Sequence, residues 1–183
     1  MEKVNNKRIS PVFVLLGFLY KNPSHGYDLH RRLVDEFGYI WHVSQPQTYN
    51  ILKRLQAQGY ITSKTIIQEK LPARQLLQLS ELGLKRFVSW LDTPTKCSVH
   101  AVRVEFITRL YFTQLYYPNK IQETIRNQVE EVNAGLKRLE EIRKGLPADQ
   151  TFNRLALDMR LKLLDSIIGW LIGCCEEFVT IPI

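Results

Sequence analysis

The sequence predicts a mainly α-helical protein in two parts. Residues 1–94 read as three helices, a two-stranded hairpin and a fourth helix, and residues 95–183 read as three long helices. Three observations predict this. Apolar residues recur at helical spacing along most of the chain. One β-branched stretch follows the third helical pattern directly. The charge is lopsided, with 13 Lys or Arg against 7 Asp or Glu in residues 1–94, but 12 against 11 in residues 95–183. At 183 residues, 45% apolar and 23% charged, the chain is large enough for a buried core in a folded globular protein.

Ser10 followed by Pro11 predicts the cap and first position of a helix that turns Val12, Leu15, Leu16 and Leu19 inward and closes before Pro23. Ser24 predicts the cap of a second helix carrying Leu29, Leu33, Val34 and Phe37, stopped by Gly38. A third helix is expected from a Ser44 cap to Gln58, with Gly59 as its stop. Residues 60–67 then read as a strand, 69–73 as a loop and 74–79 as a second strand. Ser80 predicts the cap of a fourth helix, with Glu81 in its first turn and Leu84, Phe87, Val88 and Leu91 inward. It ends at the break Asp92-Thr93-Pro94-Thr95. Two helices, a turn, a third helix and a hairpin make the element order of a winged helix-turn-helix, so residues 1–94 are expected to bind DNA.

The second part is expected to hold helices over residues 98–117, 118–144 and 151–179, separated at Pro118 and at Gly145-Leu146-Pro147. Ile125, Val129, Val132, Leu136 and Leu139 are spaced 4, 3, 4, 3, the seam of a coiled coil. Residues 163–175 are apolar nearly all round, more than one three-helix layer covers. With that seam, Leu164, Ile167, Ile168 and Leu171 are therefore expected to pair two copies of the chain, making residues 95–183 a dimerisation domain. Tyr111, Trp170 and Phe178 are the candidates for lining a small-molecule effector pocket.

On a helical wheel Thr48, Ile51, Leu52 and Leu55 share one side of the third helix, while Gln47, Asn50, Lys53, Arg54 and Ala57 lie opposite, with Tyr49 at the flank. That polar side carries no acid to be repelled by a phosphate backbone. Gln45, Gln47 and Asn50 are placed to meet base edges, Tyr49, Lys53 and Arg54 to meet phosphates or guanine, and the cap residue Ser44 is expected in the same DNA-binding set. Lys70 and Arg74 flank the wing tip, where a basic side chain reaches a phosphate or the minor groove.

Other classes are disfavoured. Cys97, Cys174 and Cys175 form no CxxC, and free cysteines in apolar surroundings suit a reducing compartment. His25 and His30 have no cluster of ligand spacing around them, and no glycine-rich phosphate loop is present, so no metal, no cofactor and no enzyme activity are expected. The basic, then apolar, N-terminus lacks a small-residue cleavage site, and the apolar stretch near residue 170 is too short for a membrane span and contains Asp165, so a cytoplasmic location is expected. The competing reading is an RNA-binding or coiled-coil adaptor protein using the same basic face.

The stretch LGFLYKNPSHGYDLHRRL, residues 16–33, with its His25-Gly26-Tyr27, resembles the opening of PadR-family regulators. Residues 47–55, QTYNILKRL, followed by Gly59-Tyr60-Ile61, are similar to that family's tyrosine-centred third helix. The wing segment RQLLQLSELG departs from the family in having Leu76 and Leu77 where tyrosine is usual, and Ser80 for threonine. Val102-Arg103-Val104-Glu105-Phe106 and Arg109-Leu110-Tyr111-Phe112 resemble the start of the longer C-terminal domain of one PadR subfamily. The resemblance implies a homodimeric transcription factor, usually a repressor, that binds an inverted-repeat operator on double-stranded DNA with its third helix in the major groove.

Overall fold

The computed structural model describes residues 10–68 and 71–179, and for residues 66–68, 71–74 and 179 the backbone alone. The chain divides into two compact units between Asp92 and Thr93. The first unit runs α1 (Val12–Phe18), β1 (Ser24–His25), α2 (Gly26–Phe37), α3 (Gln45–Ala57), β2 (Ile61–Gln68), β3 (Leu71–Leu79) and α4 (Glu81–Asp92). Its core is built where the apolar faces of these short elements meet: Leu15 and Leu16 of α1, Leu29 and Leu33 of α2, Leu55 of α3, Ile61 of β2 and Phe87 of α4 are all sealed from solvent. Phe13 stacks on Trp90 at 4.5 Å between ring centroids, fastening α1 to α4.

The sheet adds a third strand to the expected two-stranded wing. Its order is β1-β3-β2, all antiparallel, with Ser24 opposite Leu77 and His25 opposite Leu76. Ser24, expected to cap α2, is instead a strand residue, and His25 is the residue that precedes the helix. The His25 Nδ1–H donates to the Gln75 carbonyl oxygen at 2.9 Å, adding a side-chain tie to a two-residue ladder. β3 also begins at Leu71, earlier than the expected Arg74, and an irregularity between Ile66 and Gln68 shifts its register against β2. At the start of the chain, α1 is preceded by Pro11 in the cap position rather than by Ser10.

The junction of α3, the wing and α4 is held by a local clasp. Gly59 takes φ +74°, the left-handed conformation that ends α3 at no steric cost. The Ser80 hydroxyl donates to the Gly59 carbonyl at 2.6 Å and accepts the Gly83 N–H at 3.0 Å, which caps α4 and ties it to the end of α3. A Cβ on Gly83 would overlap the Tyr60 carbonyl oxygen, so only glycine lets α4 start so close to β2. The Arg86 guanidinium covers the Tyr60 ring at 4.2 Å.

The second unit begins with α5 (Val99–Ala101), widens into a π turn over Val102–Phe106, and continues as α6 (Ile107–Tyr116). A 3-10 turn at Pro118–Lys120 leads into α7 (Ile121–Lys144), and α8 (Thr151–Val179) packs along it. One core joins them, with Val102, Phe106, Leu110, Ile121, Ile125, Val132, Leu139, Leu164 and Leu171 buried.

That core takes up much of the stripe expected as a dimer seam. Ile125, Val132, Leu139, Leu164 and Leu171 are covered within the single chain, while Val129, Leu136, Ile167 and Ile168 are half-buried against the same cluster. The stripe on α7 does find a helical partner, but it is α8 of the same molecule. Its buried line runs Ile121, Ile125, Gln128, Val132, Gly135, Leu139, so two of its positions are not apolar side chains. Gly135 is there because a Cβ would overlap the Cys97 sulfur. Gln128 is there because Thr95 satisfies both ends of its amide. Cys97, Cys174 and Cys175 are free and half-buried, and burial pushes the thiols of Cys97 and Cys174 upward, disfavouring the reactive thiolate. No helix among the described residues is long and apolar enough to cross a membrane.

Candidate nucleic-acid interface

The α2–α3 pair is held by polar contacts as well as by its core. Thr48, fully buried, donates its hydroxyl proton to the Ser44 carbonyl at 3.2 Å. With that proton committed, the same oxygen accepts from His30 Nδ1–H at 3.0 Å, which fixes the histidine tautomer on that nitrogen. The start of α3 is thereby tied to the middle of α2. Gly26 supplies the other contact. A Cβ there would stand 3.0 Å from the Tyr49 ring, so the glycine of the His25-Gly26-Tyr27 signature is the seat on which Tyr49 lies.

Held this way, α3 buries Thr48, Leu52 and Leu55 and exposes Gln45, Pro46, Gln47, Tyr49, Asn50, Lys53, Arg54, Gln56 and Ala57. Its outward face carries two cations, three glutamines, an asparagine and no carboxylate. The Tyr49 ring rests on Gly26, yet the residue is 39% exposed at the flank of the polar face. The Gln47 side chain is not free to reach outward. Its carbonyl oxygen accepts the Ser44 N–H at 2.8 Å and the Ser44 hydroxyl at 3.1 Å, so Ser44 and Gln47 close the first turn on each other. Gln45 and Asn50 are exposed amides, each carrying both a donor and an acceptor.

Lys70 lies outside the described residues, and for Arg74 the structure describes the backbone in β3 only. The wing carries a further exposed cation that sequence reasoning passed over, Lys64 on β2, paired in register with Leu76. Strand alternation was the available signal, since Ile61 is buried and residue 64 falls on the opposite face. Gln56 of α3 donates to the Ser63 hydroxyl at 3.0 Å, fixing β2 against the helix that carries the polar face.

The three aromatic residues expected around an effector have separate packing roles. Tyr111 meets the Phe112 ring edge-on at 5.0 Å, Trp170 meets Phe106 edge-on at 6.3 Å while remaining 43% exposed, and Phe178 packs half-buried on the core of the second unit. One groove in that unit is lined by other groups, Glu140, Arg143, Lys144, Asp158, Leu161 and Lys162. No group of three or more His, Cys, Asp or Glu side chains that could hold a metal ion occurs among the described residues.

Residues 15–88, from α1 into α4, match the transcriptional regulator PadR-like family. The negative transcriptional regulator PadR of Bacillus subtilis is 27% identical over 128 residues, 70% of each chain. The crystal structure of Bacillus subtilis PadR in complex with operator DNA is similar at 24% identity and a TM-score of 0.46, covering 89% of this chain and 96% of that one. The PadR-like transcriptional regulator BC1756 from Bacillus cereus is similar at 23% identity and a TM-score of 0.44, covering 94% and 98%. The α2–α3 pair and the wing described above fall within that match, and residues 15–88 are similar to the PadR-like family of transcriptional regulators.

Proposed function

We propose that the chain is a homodimeric repressor that reads an inverted-repeat operator, with residues 1–92 as its DNA-binding domain, residues 93–183 as its dimerisation domain and α3 lying in the major groove. The observation that carries this reading is the outward face of α3, polar, basic and free of acid, on a helix whose other face is locked to α2. Gln45 and Asn50 meet base edges in it, Tyr49, Lys53 and Arg54 meet phosphate or guanine, and Lys64, Lys70 and Arg74 serve the wing. The Ser44–Gln47 pair sets the first turn rather than reading bases. Repression is supported by the negative regulator of Bacillus subtilis to which the chain is similar.

The dimer is supported by the outer side of α8. Phe152, Ala156, Met159, Leu163, Ser166 and Trp170 are exposed there at spacings of 4, 3, 4, 3 and 4. Phe152 is 85% exposed and Met159 65%, an apolar stripe along a helix that needs a second helix to cover it. The occupant is a second copy, because reading two half-sites about 34–36 Å apart on an inverted repeat takes two α3 helices related by a twofold axis.

Gel shifts of duplex DNA against double-stranded RNA at about 0.15 M salt, repeated with Lys53→Ala, test the reading. DNA is expected to be retained in preference, and Lys53→Ala to weaken binding to all sequences and make the log-log salt slope shallower by about 1 per subunit. Equal retention of the two duplexes contradicts the DNA reading. An unchanged slope and affinity in Lys53→Ala removes Lys53 from the interface.

A further inference from the structure

The second unit buries a polar cluster that neither the core nor the α3 face accounts for. Thr95, Arg109 and Gln128 are 1%, 2% and 0% exposed. Thr95 is held by every polar atom it has. Its N–H donates to Gln128 Oε1 at 2.8 Å, its carbonyl accepts from Gln128 Nε2 at 2.7 Å, and its hydroxyl accepts from the Arg109 guanidinium. Glu105, in the π turn that precedes α6, lies 3.4 Å from the other end of the guanidinium. Burial pushes Arg109 down to about 10, so it is still charged at neutral pH. Glu105 and Arg109 are thus tied to one residue that belongs to no helix.

Burying a guanidinium and its carboxylate partner is a poor source of stability, since an apolar cluster of the same volume packs at least as well. What such a cluster supplies is a fixed position. The position it fixes is the end of the link between the two units. Only Thr93 and Pro94 separate Thr95 from Asp92, the last residue of α4. Three Cα–Cα steps span at most about 11 Å. Pro94 further holds its own φ near −65° and biases Thr93 to an extended conformation. The link is short, stiff and clamped at its far end.

We propose that Arg109 and Gln128 are positioning residues for operator recognition, clamping Thr95 so that a dimer accepts one spacing between half-sites. The proposal rests on the dimeric operator reading above. Once one half-site is bound, capture of the second is intramolecular, and its effective concentration depends on the length and stiffness of the link. A clamped link selects one spacing, and a slack link tolerates several.

The experiment uses the full chain and the operator it selects from random duplex, in a series with the centre lengthened or shortened by 2 and 4 base pairs. The wild type is expected to lose about tenfold or more in affinity on the altered spacings. In Gln128→Met, and in a variant with Gly-Ser-Gly-Ser inserted between Pro94 and Thr95, that discrimination is expected to fall to about threefold or less, with single half-site binding unchanged. Thr95→Ser, which keeps the hydroxyl, is expected to retain the wild-type profile. The insertion leaves the cluster and core untouched, so it reads the link even where Gln128→Met disturbs folding. Wild-type discrimination persisting in the insertion variant overturns the clamp and leaves operator reading intact. A wild type that retains no duplex at all overturns both.

Discussion

Helices α3 and α8 both keep one face buried, but they turn opposite chemistry outward. α3 shows amides, a tyrosine and two cations with no acid, whereas α8 shows Phe152, Met159, Leu163 and Trp170. A polar basic face is stable in water and attracts a polyanion, while an apolar face of that length is stable only when covered by protein. The surface proposed to read DNA and the surface proposed to pair subunits are therefore separable in this chain by the side chains beside each buried seam.

Adjacent leucines of α8 give the largest expected contrast. Leu164 is fully buried and Leu163 is 41% exposed. Leu164→Ala is expected to cost about 2–5 kcal/mol of stability by leaving a cavity between α7 and α8. Leu163→Ala is expected to change monomer stability by about 0.5 kcal/mol or less while weakening the dimer. Urea unfolding and sedimentation velocity on the two variants check this. Equal losses of stability without a change in mass would break the distinction between the two faces of α8.

Next comes the first unit, where precision resides in close approaches rather than in long stripes. Gly83→Ala forces a methyl onto the Tyr60 carbonyl and is expected to cost about 1–3 kcal/mol. Ser80→Ala removes the bonds to Gly59 and Gly83 and is expected to cost about 1 kcal/mol. Hydrogen exchange is expected to show both losses within residues 10–92, with protection in α7 and α8 unchanged. Loss of protection across both units would show that they unfold as one.

The smallest expected effect concerns one amide on α3. Gln47→Ala is expected to cost about 0.5–1 kcal/mol of stability through the lost cap bonds and to leave base preference alone. Binding to cognate and random duplex checks it, and a relaxed preference would return Gln47 to the base-reading set.

Much of this was legible in the sequence because the signals are local. The inward positions Thr48, Leu52 and Leu55, the Gly59 stop and the Ser80 cap all sit within one or two turns of the residues they serve. What escaped has distant partners. Ser24 and His25 form a strand only because Leu76 and Leu77, some fifty residues later, lie beside them. Gln128 and Gly135 fill core positions that hydropathy assigns to Val129 and Leu136, since a glutamine belongs inside only when Thr95 meets it and a glycine only when Cys97 fills its place. Periodicity marked α7 and α8 as helices needing partners, but the leucines that pair them within one chain carry the same pattern as leucines that would pair two chains.

The central claim, that two copies of α3 read one operator, is tested most directly by sequencing the duplexes that the pure full-length protein retains from a random library. The account predicts one enriched inverted repeat whose half-site centres lie about one DNA turn, 10–10.5 base pairs, apart or at a multiple of it. Enrichment of a single unrepeated site, or of no sequence at all, would contradict it.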